Sequence, residues 1–336
     1  MALIVALLVL VCISVESRDL DLEWTKSIVE IAVSPMTVAV ADVNGNGLLD
    51  VVTASSTGDY FVWRENIGET FTREILGTAG EANGARDVFV IDVDGDGYQD
   101  IIGASSSDDT IAWYRQTQSG NVSTFTRNII TSVADNVQSV FAIDLDGDGD
   151  VDILSGNWNA GSITWWENDG SQRFTRTDIS TDANAVYDVF AIDMDGDGDL
   201  DVVSATGSGF DLISWHENDG SQAFTKHIIF QDALRPRSVY PIDFNGDGHI
   251  DVIAGSEGYN SVWLFQNNGS QFFTTHIVGG LDETSCYGAR GVYPADIDKD
   301  GDLDIVASCY NTNSVVWYDN DGTSLLLLIA LIALII

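Results

Sequence analysis

The chain has 336 residues, 52 of them acidic and 14 basic, for a formal charge of −38. Such a surface repels phosphate backbones and anionic lipid, which excludes nucleic acid and a lipid surface as partners. Nine Trp, ten Tyr and fourteen Phe within a 45% hydrophobic composition exclude a disordered acidic chain and supply a sizeable core.

Residues 1–17, MALIVALLVLVCISVES, read as a secretory signal peptide: an apolar run ending in small residues, with only the amino terminus as its positive region. At about 15 apolar residues the run is short for a membrane span, and a retained signal anchor is the alternative. Cleavage removes Cys12 and leaves Cys286 and Cys309, a pair that fits one disulfide in an oxidising compartment, or else two buried thiols. Asn121-Val-Ser and Asn268-Gly-Ser are candidate glycosylation sequons.

From residue 18 to residue 322 one pattern recurs six times. Its acidic runs start at Asp42, Asp92, Asp144, Asp193, Asp243 and Asp296, at steps of 50, 52, 49, 50 and 53 residues. A fixed period near 50 marks an array of supersecondary units. Each unit carries four strand-like pieces. A short apolar run such as Ser139–Ile143 leads into the acidic loop, and a second run such as Val151–Leu154 follows it. The third piece centres on Trp63, Trp113, Trp165, Trp215, Trp263 or Trp317, and ends in a turn such as Asn168-Asp-Gly170. Asn and Gly there suit the positive φ of tight hairpins. A Phe-Thr strand is the fourth piece, as at Phe71, Phe125, Phe174, Phe224 and Phe273.

The fold class expected is all-β, a six-bladed β-propeller of four-stranded blades. Repeat six lacks its Phe-Thr strand, while Trp24–Ile28 is spare at the start. The last blade is therefore expected to be closed by the N-terminal strand, with residues 24–29 beside residues 314–318, which also hides a sheet edge. Residues 323–336 form an apolar C-terminal tail, too short to span a bilayer comfortably; it is an anchor remnant or an unusual terminus, and a membrane is expected to be met only through a terminal anchor.

The acidic loop reads D-x-[DN]-x-[DN]-G-x-x-D. Its candidate metal ligands are Asp42, Asn44, Asn46 and Asp50; Asp92, Asp94, Asp96 and Asp100; Asp144, Asp146, Asp148 and Asp152; Asp193, Asp195, Asp197 and Asp201; Asp243, Asn245, Asp247 and Asp251; Asp296, Asp298, Asp300 and Asp304. Two unit charges ~4 Å apart repel by roughly 4 kcal/mol at an effective dielectric of 20, and a divalent cation offsets that cost. Ca²⁺ suits the pattern because it takes six to eight oxygens in flexible geometry, whereas Mg²⁺ wants a stricter octahedron. Asp-Gly turns alone would account for one carboxylate per loop, not four. The first loop, with two carboxylates, is expected to bind most weakly, and Asp199 at position 7 of its loop to point outward.

The pattern V-x-x-x-D-x-D-G-D-G-x-x-D followed by a Trp strand resembles FG-GAP, or VCBS, repeats, the units of integrin α-subunit heads. The resemblance covers about residues 24–322. It implies calcium in the hairpin between a blade's first two strands, up to six ions in all, and ligand contacts on the opposite face. Six repeats stand here where integrin heads carry seven. A looser resemblance is to calcium-bearing propeller lectins.

No G-x-S-x-G or HExxH occurs. His216, His227, His249 and His276 are expected on separate blades without converging, so the chain is expected not to be an enzyme; a polysaccharide-active enzyme is the remote alternative, because paired carboxylates are abundant. The expected ligand face comprises Arg86, Arg235, Arg237 and Arg290 in the connections between blades, and Trp158, Tyr259 and Tyr310 between second and third strands. Arginines there suit an acidic glycan or acidic peptide; inter-blade packing is the plainer role. The function expected is a secreted or cell-surface calcium-binding adhesion module for an extracellular protein or glycan, with a calcium-dependent lectin as the alternative.

Overall fold

The computed structural model describes residues 34–68, 70–78, 80–120, 122–207, 209, 211–279 and 286–320. Within them the chain forms strands and no helix. The first blade holds β1 (Pro35–Ala41), β2 (Asp50–Ser55), β3 (Tyr60–Arg64) and β4 (Glu74–Gly77). The second holds β5 (Ala85–Ile91), β6 (Asp100–Ser105), β7 (Thr110–Ser119) and β8 (Val122–Thr131). The third holds β9 (Val137–Ile143), β10 (Asp152–Asn157), β11 (Ser162–Asn168) and β12 (Phe174–Ser180). The fourth holds β13 (Val186–Ile192), β14 (Asp201–Thr206), β15 (Leu212–Asn218) and β16 (Phe224–Phe230). The fifth holds β17 (Pro236–Ile242), β18 (Asp251–Ser256), β19 (Ser261–Asn267) and β20 (Phe273–Gly279), and the sixth β21 (Ala289–Ala295), β22 (Asp304–Cys309) and β23 (Ser314–Tyr318).

Each blade is an antiparallel meander in sequence order, four-stranded in five cases and three-stranded among the described residues of the sixth. The proposed closing strand 24–29 lies outside the described residues, as do the signal peptide, Asn121 and the tail. The first strands of all six blades surround an axial cavity of about 220 Å³. This is a six-bladed propeller.

Burial follows from position in the blade. Every residue of β2, β6, β10, β14, β18 and β22 is buried. Those strands have a neighbour on each side and another blade against each face, so they read as continuous runs of Val, Ile and small residues rather than alternating. Outer strands such as β12 face solvent along much of their length. The core is a set of wedges between blades, as where Phe61 and Trp63 of the first meet Val88, Ile101 and Tyr114 of the second.

Two details depart from the sequence reading. Phe71 is not in a strand of the first blade but makes a lone bridge to Asn66, and β4 starts three residues later. Trp263 is one residue out of phase. Trp165 and Trp215 pair with Leu154 and Val203, two residues after their loop aspartates, and in the fifth blade Leu264 takes that place opposite Ile253. A one-residue shift moves a side chain to the other face of a strand. Trp263 accordingly packs against Phe230, with ring centroids 5.0 Å apart.

Candidate functional site

Each acidic loop joins the first and second strands of a blade and is wrapped around its own carboxylates. In the fourth blade Asp193 accepts the N–H groups of Gly196 at 2.8 Å and Gly198 at 3.1 Å. Asp195 accepts from Asp197, and Asp197 from Asp199. The two glycines sit at φ 83° and 101°, a region that strains a side chain. In the first, second, third and fifth loops the first aspartate likewise accepts the N–H of the sixth-position glycine, and the sixth loop keeps the bonds from Asp300 to Asp298 and from Asp302 to Asp300, so carboxylates at alternate positions turn toward one centre. Ligand-capable oxygens fall within 4.8 Å of one another in Asp92–Asp94–Asp96, Asp144–Asp146–Asp152, Asp193–Asp195–Asp197 and Asp296–Asp298–Asp300. An all-oxygen donor set on a flexible glycine turn fits a hard divalent cation such as Ca²⁺. The first and fifth loops carry asparagines in the set, and there Asn44 donates to Glu65 and Asn245 to Asp247.

The ninth position has a second role. Asp50, Asp100, Asp152, Asp201, Asp251 and Asp304 are all buried. One oxygen of each accepts the N–H of the loop's second residue at 2.9–3.2 Å. The other accepts, at 2.7–2.9 Å, the N–H of Asn66, Gln116, Asn168, Asn218, Asn267 or Asn320, within the third strand or up to two residues past it. Five of those asparagines reply with a side-chain bond to the carbonyl of the eighth residue. The aspartate thus clamps the loop to the third strand by both oxygens, and in the first blade Oδ2 of Asp50 also accepts the Trp63 indole N–H at 3.1 Å. Burial pushes the carboxyl of Asp201 up to about 7, and those of Asp100, Asp152 and Asp251 up to about 6, against the lowering effect of the N–H donors.

Asp199 leans out of its loop over the turn between β15 and β16, where a Cβ on Gly220 would lie 2.6 Å from Oδ2. Asp150 covers Gly170, and His249 covers Gly269, in the same way.

The sequence reading overlooked the residue two after the third-strand tryptophan. Glu65 bonds Asn44 of the first loop, and the charge of Glu217 helps raise the Asp195 carboxyl, whose first cause is burial. The equivalent in the second blade is Arg115, which bridges Asp94 at 2.5 Å and Asp96 at 3.2 Å. The recurring W-x-E-N of WREN, WWEN and WHEN was the available signal.

At the opposite end of the inner strands lies the expected ligand face. Arg235, Arg237 and Arg290 all bridge Glu257. Burial alone would raise that carboxyl, but Arg237 and Arg290 hold it below its ordinary value. Arg237 lies over Tyr187, 3.9 Å from the ring centroid, and Arg290 over Tyr310 at 3.5 Å. Arg86 bonds Ser106 Oγ at 3.0 Å. Tyr259 packs on Trp263. Trp158 donates its backbone N–H to Asn136, and no ring contact or hydrogen bond among the described residues joins it to the arginines.

The histidines are not on four separate blades. His216 and His227 share the fourth, on adjacent strands, with Nε2 of His227 2.6 Å from Glu217 Oε2. His249 and His276 belong to the fifth. His216 is buried, which pushes its pKa down to about 4. Cys286 and Cys309 form a disulfide, in keeping with an oxidising compartment. Asn268 is exposed in the turn after β19. No helix among the described residues is long and apolar enough to cross a membrane.

These features define a six-bladed propeller with an acidic hairpin loop in every blade. Five overlapping segments, 42–103, 92–155, 144–204, 193–254 and 243–307, match the FG-GAP-like repeat. The chain belongs to the FG-GAP-like repeat family. A crystal structure of a functionally unknown protein from Desulfotomaculum acetoxidans resembles it with a TM-score of 0.52 at 14% identity, over 86% of this chain and 87% of that one. At that identity the likeness is one of fold. No curated protein matches the chain significantly.

Proposed function

We propose that the protein is a secreted or cell-surface ligand-binding module whose loop calcium is mainly structural. The observation that carries this reading is the separation of the two ends. Converging carboxylates occupy the hairpins after the first strands, while arginines and exposed aromatics cluster where those strands begin, about 20 Å away for seven extended residues. Ions in the hairpins relieve carboxylate repulsion and pin each blade, and the other face is left to meet a partner. The FG-GAP-like fold fits such a module, and the disulfide suits an extracellular one. On this reading the protein binds rather than catalyses. A calcium-dependent lectin is the second reading, favoured by Tyr259 and Tyr310, 40% and 49% exposed on that face.

Melting in calcium and in chelator tests the calcium role. A site held at a hundredfold over its Kd adds ~2.7 kcal/mol, so chelation of several sites is expected to lower Tm by roughly ten degrees or more. An unchanged melt refutes the role. A glycan array and an extracellular-protein panel, probed in calcium and in chelator, test the ligand: sugar-class binding supports the lectin, protein binding the adhesion module, and blanks from folded protein count against both.

A further inference from the structure

Arg86, Arg237 and Arg290 are the second residues of β5, β17 and β21, and Arg235 precedes β17. Those strands line the axial cavity, which places residues more than two hundred positions apart at the same end of it. Three of the four guanidinium groups there share one carboxylate. Glu257 takes Arg237 by Oε2, and Arg235 and Arg290 by Oε1, each at 3.2 Å. Arg86 has no ion pair among the described residues. Its Nε donates to Ser106 and its Nη1 lies 3.9 Å from Met36 Sδ. Arg290 Nε is buried with no acceptor. Burial, and then repulsion from Arg237 and Arg290, lowers the Arg86 pKa.

A chain with 52 acids and 14 bases has ample means to neutralise such a cluster, and here it supplies a single glutamate. The remaining donor capacity calls for an anion from outside. Tyr187 and Tyr310 back two of the guanidinium groups, which restricts their planes and suits bidentate capture of a planar carboxylate. Tyr310 and Tyr259 also offer exposed ring surface on the same rim, matching a ligand whose carboxylate is carried on a sugar ring with an apolar C–H face. An acidic peptide would satisfy the arginines but has less use for those flat surfaces.

We propose that this arginine cluster is a binding site for the carboxylates of a uronate-bearing polysaccharide. The inference rests on the reading above that this face meets the ligand, and it names the ligand's chemistry. The test is calorimetric titration of the full chain, purified in calcium, with an oligogalacturonate, a neutral galactan oligosaccharide of equal length and an oligoglutamate peptide. Wild type is expected to bind the oligogalacturonate at least tenfold more tightly than either control. Arg86→Gln and Arg290→Gln are each expected to weaken it at least tenfold, with Arg86→Lys intermediate because charge is kept and the fork lost. Among the described residues Arg86 has no ion pair to break and donates one side-chain bond to an oxygen, that of Ser106, so its variants are expected to melt close to wild type and keep the comparison interpretable. Equal binding by wild type and Arg86→Gln, equal binding of neutral and acidic sugars, preference for the peptide, or no binding of the acidic sugar would each overturn the proposal. A hit on the array or protein panel that Arg86→Gln leaves intact would remove the arginine site and leave the ligand-binding module standing; blanks throughout would remove both.

Discussion

Asp87 Oδ2 accepts the backbone N–H of Val140, in the next blade, at 2.9 Å. The relationship repeats two blades on, where Asp188 Oδ2 accepts from Val239 at 3.1 Å, and between them Ser139 donates to Asp188 at 3.0 Å. The first strand of each blade has no strand partner toward the axis, so its N–H groups there need other acceptors. Side chains at the third position of the neighbouring strand supply them.

The first prediction concerns pH. Burial, with repulsion from Asp188, raises the Asp87 carboxyl from 3.8 to about 7. The folded protein then holds a proton that the unfolded chain releases near 3.8, so folding is favoured at low pH. That contribution is lost as pH rises through about 7. Asp87→Asn removes the titration. The Tm of wild type minus that of Asp87→Asn is expected to fall between about pH 5 and pH 8, in calcium throughout. A difference independent of pH would show that Asp87 has no raised pKa.

The second separates clamp from ligand. Asp201→Ala leaves the N–H groups of Met194 and Asn218 without acceptors in buried surroundings. At ~1–3 kcal/mol for each, a loss of roughly 2–6 kcal/mol is expected in chelator as well as in calcium. Asp195→Ala removes a partly exposed carboxylate repelled by Asp197, Glu217 and Asp193. It is expected to leave the melt in chelator unchanged or slightly raised, and to reduce the gain from calcium. Equal losses in chelator would mean that the ninth position holds nothing the third does not.

The third concerns Arg115, which sits on Asp94 and Asp96, where it would compete with a cation at the second loop. Arg115→Glu restores the acid that Glu65, Glu167 and Glu217 provide elsewhere. Calcium affinity at that loop is expected to rise roughly tenfold or more, since two unit charges ~4 Å apart interact by roughly 4 kcal/mol at a dielectric of 20. Equilibrium dialysis or calorimetry would read the change in stoichiometry at low calcium, and unchanged binding would remove Arg115 as a competitor.

Much of this was legible because the information is local and repeated. A carboxylate at alternate positions, a glycine at the sixth and a strand on either side lie within a dozen residues, and six copies in phase turn a weak pattern into an architecture. The ninth aspartate was legible as a member of the set but not as a clamp. Its partner N–H belongs to a residue 16 or 17 positions later, brought opposite by hairpin register. Register also displaced Trp263: a tryptophan near the right place reads as a match, although one residue decides which face it packs on.

By itself, then, the chain's repeat period, turn residues and alternating carboxylates determined an all-β array of six units with an acidic hairpin in each, because hairpins and their loops are set by neighbours in sequence. Only the tertiary structure decided which charges meet. The ring carries the second residues of β5, β17 and β21 to one end of the axial cavity, sets three arginines on Glu257, leaves Arg86 without an ion pair among the described residues, and places Asp87 under the next blade's N–H. Those contacts join residues about 20 to more than 50 positions apart, and no local spacing encodes them.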